Sequence, residues 1–224
     1  PKQSANCLTL LIHGFRSSHL YPLKVAHFFL ERGCTVYSLD LPAHGYSEGE
    51  ILTWGNKELP YLEYVIKYMM AENPGKKIGL FGLSLGGSLS MLLAKKGDYE
   101  YIISDSSFSD IVKIFQQRGY KRYGKITDIF LIPSLWFCEV FSNLDFKHLS
   151  PLQSIRLIEE PSLIIHSKQD KYTSFSHARE LQKKVRDKQN IRFEFTDWGA
   201  DHVKSFDINP KAYEELLSGF LDSL

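Results

Sequence analysis

Six short apolar runs punctuate the chain: 7–13 (CLTLLIH), 35–41 (TVYSLDL), 77–83 (KIGLFGL), 101–105 (YIISD), 161–167 (PSLIIHS) and 191–197 (IRFEFTD). Those at 7–13, 77–83 and 161–167 are apolar on both faces of a strand. That is the pattern of parallel strands covered by helices on two sides. Helical stretches lie between the runs. Residues 19–32 place Leu20, Leu23, Ala26, His27 and Leu30 on one stripe, and Gly33 follows as a stop. Residues 56–72 carry Leu59, Leu62, Val65, Ile66 and Met69 at helical spacing, and 85–96, 174–187 and 209–223 supply further helices. The alternation predicts an α/β fold, a mainly parallel sheet flanked by helices in a single domain over 1–224. One interval, 106–160, is too long for a simple crossover. It is expected to be a small helical insertion, a cap over one edge of the sheet, with ordinary crossover helices as the alternative.

The run at 77–83 ends on one polar residue set among glycines, Gly82-Leu83-Ser84-Leu85-Gly86, which matches G-x-S-x-G. A sharp strand-to-helix turn holds such a serine in a strained conformation, and side chains at the two glycines would collide with neighbouring backbone. The helix beginning at Leu85 points its free N–H groups at the space beside Ser84, an arrangement that favours an oxyanion. A serine alone is a weak nucleophile and needs a base held by a carboxylate. With this elbow the chain order is serine, then acid, then histidine. Asp170, after the strand LIIHS, and His202, in the loop before the last helix, stand in that order. Asp105, at the end of YIISD, is the second choice for the acid. Asp201 is expected to point away from Ser84, His166 to pack within its strand, and His148 and His177 to have surface roles. Two backbone donors complete such a site: the N–H of Leu85, and that of Phe15 in the loop HGF, which His13 is expected to prop.

Composition narrows the partners. The net charge of +1 makes no broad case for nucleic acid. The run Arg118, Lys121, Arg122 and Lys125 reads as a solvated face. Cys7, Cys34 and Cys138 show no metal-ligand spacing, and the first two read as small core residues. A reduced, cytoplasmic setting is expected, with no stable membrane insertion, since no run is long enough to span a bilayer and no signal peptide is visible. A Pro1 start fits a removed Met or a trimmed chain.

Five segments, LLIHGF, LDLPAHGYSEG, GLFGLSLGG, LIIHSKQD and GADH, together resemble the α/β-hydrolase superfamily over nearly the whole chain. The segment SDSSFSD and the insertion after it are similar to bacterial hydrolases related to the prolyl-oligopeptidase group, and to palmitoyl-thioesterase-like subgroups. The resemblance implies an α/β-hydrolase fold, a nucleophile at Ser84, an acid at Asp170, a base at His202, oxyanion amides at Phe15 and Leu85, elbow glycines at Gly82 and Gly86, and neither metal nor organic cofactor. The sequence departs from that pattern in one respect: the family's opening hairpin is missing before CLTLLIH. The chain therefore reads as minimal or trimmed there, with an exposed sheet edge for another molecule to cover.

A serine at the elbow points to ester, thioester or amide hydrolysis of a small-molecule acyl substrate. Phe108, Phe115, Ile129, Phe130, Leu131, Leu135, Trp136, Phe137 and Phe141 supply an acyl pocket if several face the site, with Phe108, Trp136 and Phe137 as its expected members; otherwise they only pack the insertion. The favoured activity is a carboxylesterase or thioesterase. The alternatives are a short-peptide serine peptidase and a non-catalytic binding protein of the same fold. The oligomeric state is left open by the sequence.

Overall fold

A computed structural model describes residues 7–95, 97–142, 144–146 and 149–224. It shows a six-stranded sheet in the order β2-β1-β3-β4-β5-β6. The strands are β1 Cys7–Ile12, β2 Thr35–Leu39, β3 Lys77–Leu83, β4 Ile102–Asp105, β5 Ser162–Ser167 and β6 Ile191–Thr196. All five neighbouring pairs are parallel. Helices α1 Ala26–Leu30, α2 Glu58–Glu72, α3 Leu85–Ala94, α7 Ser176–Lys184 and α9 Pro210–Leu221 connect or follow the strands, and α8 Ser205–Ile208 is a short turn before α9. The interval 106–160 holds α4 Ile111–Tyr123, α5 Thr127–Ser142 and the short α6 Pro151–Ser154.

Both faces of the sheet are buried, which is why its inner strands lack polar–apolar alternation. Leu8, Leu10 and Ile12 of β1 enter one core with Leu80, Leu89 and Ile102. Leu11 enters the other, with Phe28, Phe29, Phe81 and Tyr213. Each such side chain removed from water contributes roughly 1.5–3 kcal/mol. Thr9 is the polar exception in β1, and its hydroxyl lies 2.6 Å from the Tyr101 hydroxyl. Helix α3 is buried along its whole length, so it is apolar all round rather than striped.

The structure alters three expectations. The helix foreseen over 19–32 is a 3₁₀ turn, Pro22–Val25, running into α1. Proline is suited to the first turn of a helix and disfavours helix in the residue before it. Gly33, at φ 80°, closes α1 as expected. Cys7 and Cys34, read as unpaired core residues in a reduced setting, form a disulfide. The parallel register that sets Leu8 opposite Thr35 brings them together, with their Cα atoms 4.8 Å apart. His177, expected at the surface, is fully buried. Its Nδ1 accepts the N–H of Ser109 at 3.1 Å, and its Nε2–H donates to Gln117 Oε1 at 2.9 Å. It thereby ties α7 to the start of the 106–160 interval. Burial, aided by the nearby Lys113 cation, pushes His177 down to about 4. His148 lies outside the described residues. Among the described residues no helix is long and apolar enough to cross a membrane.

Candidate active site

Strand β3 ends at Leu83 and α3 begins at Leu85, so Ser84 alone makes the turn. Its φ of 55° lies in the region that L residues rarely adopt. The glycines are dictated by contact. A Cβ on Gly82 would stand 2.2 Å from the Gly86 carbonyl oxygen, and one on Gly86 would stand 2.1 Å from that of Ile12. Strand β3, helix α3 and strand β1 therefore meet through bare backbone.

His202 approaches from the loop after β6. Its Nδ1 lies 2.7 Å from Asp170 Oδ2 and its Nε2 2.8 Å from Ser84 Oγ. A carboxylate only accepts, so the neutral ring carries its proton on Nδ1 and leaves Nε2 to receive the serine proton. Asp170 follows β5, and its Oδ1 accepts the N–H groups of Tyr172 and Thr173, both at 2.8 Å. One carboxylate oxygen is thus held by the loop and the other faces the imidazole. Ser84 and Asp170 are each 7% exposed, so both ends of this hydrogen-bonded line are largely shielded from water.

Gly14 packs against Ser84, with 3.1 Å from its would-be Cβ to the serine Cβ. His13 sets the orientation of the next peptide. The Leu41 N–H donates to His13 Nε2 at 3.0 Å, so the proton sits on Nδ1 and is donated to the Gly14 carbonyl at 2.7 Å. In a trans peptide the Phe15 N–H points opposite to that carbonyl. Burial holds His13 below the ordinary imidazole range and keeps it neutral in this role. The N–H groups of Phe15 and Leu85 make no hydrogen bond among the described residues.

The rivals are engaged elsewhere. Asp105 is buried, and its carboxylate accepts from Ser106 Oγ and Tyr213 Oη, each at 2.9 Å. Burial pushes it above the usual carboxylate range. Asp201 Oδ1 accepts the N–H groups of Lys171 and His202 at 2.9 and 2.8 Å, so it shapes the loop. His166 is buried in β5 and its Nε2–H donates to the Thr173 carbonyl at 2.9 Å.

The comparisons with known proteins agree with this architecture. A family model described as alpha/beta hydrolase fold matches residues 10–102. A Pyrococcus furiosus esterase, Pf2001, superposes with a TM-score of 0.78 at 23% identity, over 98% of this chain and 83% of its own. The chain has the α/β-hydrolase fold. A Pyrococcus horikoshii acylaminoacyl peptidase aligns at TM-score 0.73 and 17% identity, over 99% of this chain and 38% of its own. In sequence the chain is similar to an uncharacterised protein, YqkD, of Bacillus subtilis strain 168, at 27% identity over all of this chain and 73% of that protein. These findings bear out the superfamily resemblance and do not assign a subgroup.

Of the aromatic side chains foreseen for a pocket, Phe115 joins a ring cluster with Phe15 and Trp54, and the others are placed differently. Phe108 is buried in the core, whereas Trp136 and Phe137 lie 60% and 55% exposed on the outer face of α5. Phe108 is thus separated by burial from Trp136 and Phe137, and the three do not present one common surface. The reason is the helix phase: α5 turns Leu135 and Cys138 to the core and the stripe carrying Phe130, Trp136, Phe137 and Phe141 outward. The aromatic wall beside the Phe15 amide is instead Phe15, Trp54 and Phe115, with ring centroids 5.0 and 4.9 Å apart in sequence. Trp54 has a φ of 57°, a strained value for its size. Glu58 holds that loop: its buried carboxylate accepts from Thr53 N–H, Thr53 Oγ1 and Gly55 N–H at 3.0, 2.8 and 2.7 Å. Sequence reasoning passed over Trp54 and Glu58. The available signal was a carboxylate in the first turn of α2 behind a Thr-Trp-Gly loop.

Proposed function

We propose that this chain is a serine hydrolase that cleaves carboxylic esters or thioesters through an acyl-enzyme on Ser84. One observation carries the reading: the continuous hydrogen-bonded line from Ser84 Oγ through His202 to Asp170, with steps of 2.8 and 2.7 Å. His202 takes the hydroxyl proton as Ser84 Oγ bonds to the substrate carbonyl carbon. The charge that develops on the carbonyl oxygen is met by the Phe15 and Leu85 N–H groups. His202 then gives the proton to the departing oxygen or sulfur as its bond to carbon breaks. Water repeats the sequence on the acyl-enzyme, releasing the acid and restoring Ser84. The acyl portion lies along Phe15, Trp54 and Phe115. The Cys7–Cys34 disulfide favours an oxidising compartment over the cytoplasmic one expected from the sequence.

The test is labelling by a fluorophosphonate probe with intact-mass detection, wild type beside Ser84→Ala. One adduct on wild type and none on the variant is the expected result; no adduct on folded wild type would overturn the reading. A panel of p-nitrophenyl esters set against aminoacyl-naphthylamides then separates an esterase from a peptidase. The ester panel is expected to respond.

A further inference from the structure

A groove of about 1160 Å³ opens beside His202, between the C-terminal half of α4 and the loops that follow β5 and β6. Cationic side chains dominate its lining: Arg118, Lys121 and Arg122 from α4, Lys171 and Lys204 from the loops, against the single carboxylate of Asp201. That carboxylate is already occupied by two backbone N–H groups. Lys204 is paired with Asp207 at 2.9 Å. Arg118, Lys121, Arg122 and Lys171 make no ion pair among the described residues. The whole chain carries only +1, so the concentration of charge is local to this groove. A run that reads as a solvated face in sequence is therefore turned, in all but Lys125, toward the catalytic histidine.

The groove is joined to His202 by direct stacking. The Tyr172 ring lies against the His202 ring, centroids 4.7 Å apart at an interplanar angle of 22°. The Arg118 guanidinium lies 3.5 Å from the centroid of the same Tyr172 ring. Lys121 reaches across the groove to the Lys171 carbonyl at 3.4 Å. Position gives the groove a chemical meaning. The departing oxygen or sulfur must receive its proton from His202 Nε2, so the leaving group lies on the His202 side of Ser84. The acyl group lies on the other side, along the aromatic wall.

We infer that this groove binds a leaving group bearing phosphate, so that the preferred substrates are acyl esters or thioesters of a phosphorylated alcohol or thiol. The inference rests on the serine-hydrolase reading of the same site. Two guanidinium and two ammonium groups without ion-pair partners exceed the need of a single carboxylate and suffice for the two charges and three terminal oxygens of a phosphate monoester. A cleft lined by one sign of charge also concentrates oppositely charged substrate and raises its association rate by about 10- to 1000-fold.

The experiment compares two thioesters that differ only by phosphate, S-acyl-pantetheine and S-acyl-4′-phosphopantetheine, with the acyl length that the ester panel favours. At low salt the phosphorylated thioester is expected to have the higher kcat/KM by about tenfold or more. Salt erodes that preference as screening lengths shorten. In the double variant Lys121→Gln/Arg122→Gln the ratio falls severalfold, and Arg122→Lys alone retains most of it. A ratio within one protein is insensitive to the fraction of molecules folded. Phosphatidylglycerol vesicles form a separate arm. Faster hydrolysis of the lipid than of the soluble phosphorylated thioester assigns the phosphate to a lipid headgroup and keeps the inference. Equal kcat/KM for the two thioesters at low salt, with no lipid preference and with Ser84 still labelled, overturns the inference alone. Absence of both labelling and turnover removes the serine-hydrolase reading, and the inference with it.

Discussion

The carboxyl ends of the strands and the helices α4 and α5 differ in how tightly their surroundings define them. At the strand ends, Ser84, Asp170 and His13 are each less than a tenth exposed, and the polar atoms of all three have named partners. The elbow glycines leave no space for a single extra carbon. On α4 and α5, Phe130, Trp136, Phe137 and Phe141 are more than half exposed, and Arg118, Lys121 and Arg122 make no ion pair among the described residues. On the proposed reading, the first region presets a reaction geometry, at the cost of strain at Ser84. The second presents surface to whatever arrives. The difference separates chemistry, which needs sub-ångström placement, from selection, which needs charge and shape at the rim.

The sharpest way to break that division is at the nucleophile. Ser84→Ala should lower kcat on a p-nitrophenyl ester by on the order of 10⁶-fold, with an unchanged circular dichroism spectrum. Retention of more than a hundredth of the activity would mean that the strand ends do not carry the chemistry. Next comes the elbow's backbone contact. Gly86→Ala places a carbon 2.1 Å from the Ile12 carbonyl oxygen, and should destabilise the fold by about 3 kcal/mol in urea unfolding. A change within experimental error would show that β1 and α3 can separate, and that the region is less tightly defined than drawn.

A comparable effect comes from the polar tie between α7 and α4. His177 sits at about 4 when folded, against 6.5 as its ordinary value, through burial. As pH falls below 6.5 the unfolded chain takes up this proton before the folded one does. The stability conferred by a neutral, buried His177 is therefore present above pH 6.5 and lost progressively down to about pH 4. The full loss is on the order of 3 kcal/mol. Urea melts at pH 7 and pH 4.5 should show wild type losing most of that amount relative to His177→Gln. A gap between the two proteins that does not change with pH would count against this origin of acid sensitivity. The smallest effect is expected on the outer face of α5. Trp136→Ser and Phe137→Ser should each change stability by less than about 0.5 kcal/mol, as surface replacements do. A loss of several kcal/mol from either would show that the face is covered in solution.

Much of this was legible in the chain itself. The six strands, the parallel order implied by runs apolar on both faces, the elbow and its glycines, and the chain order of Ser84, Asp170 and His202 all follow from local pattern. Local pattern suffices there because each feature depends on residues close in sequence: a period along a strand, a turn that excludes Cβ, a loop after a strand. The side-chain positions that depend on register or helix phase were not legible. The pairing of Cys7 with Cys34 follows from β1 and β2 lying side by side, 27 residues apart in sequence. The burial of His177 depends on α7 meeting Ser109 and Gln117. Trp136 and Phe137 share composition with core residues, and only the rotation of α5 against its neighbours sends them outward.

By itself, then, the sequence determined the α/β class, the nucleophile elbow and the candidates for base and acid, because the backbone demands at those positions admit few residue types. The tertiary structure set Asp170, the sequence's first choice, rather than Asp105 against His202, and it alone decided that the aromatic wall is Phe15, Trp54 and Phe115 and that a basic stretch of α4 lines a groove beside His202. Each of these is a contact between segments far apart in the chain. Which of several chemically equivalent side chains makes such a contact is set by packing, not by local pattern.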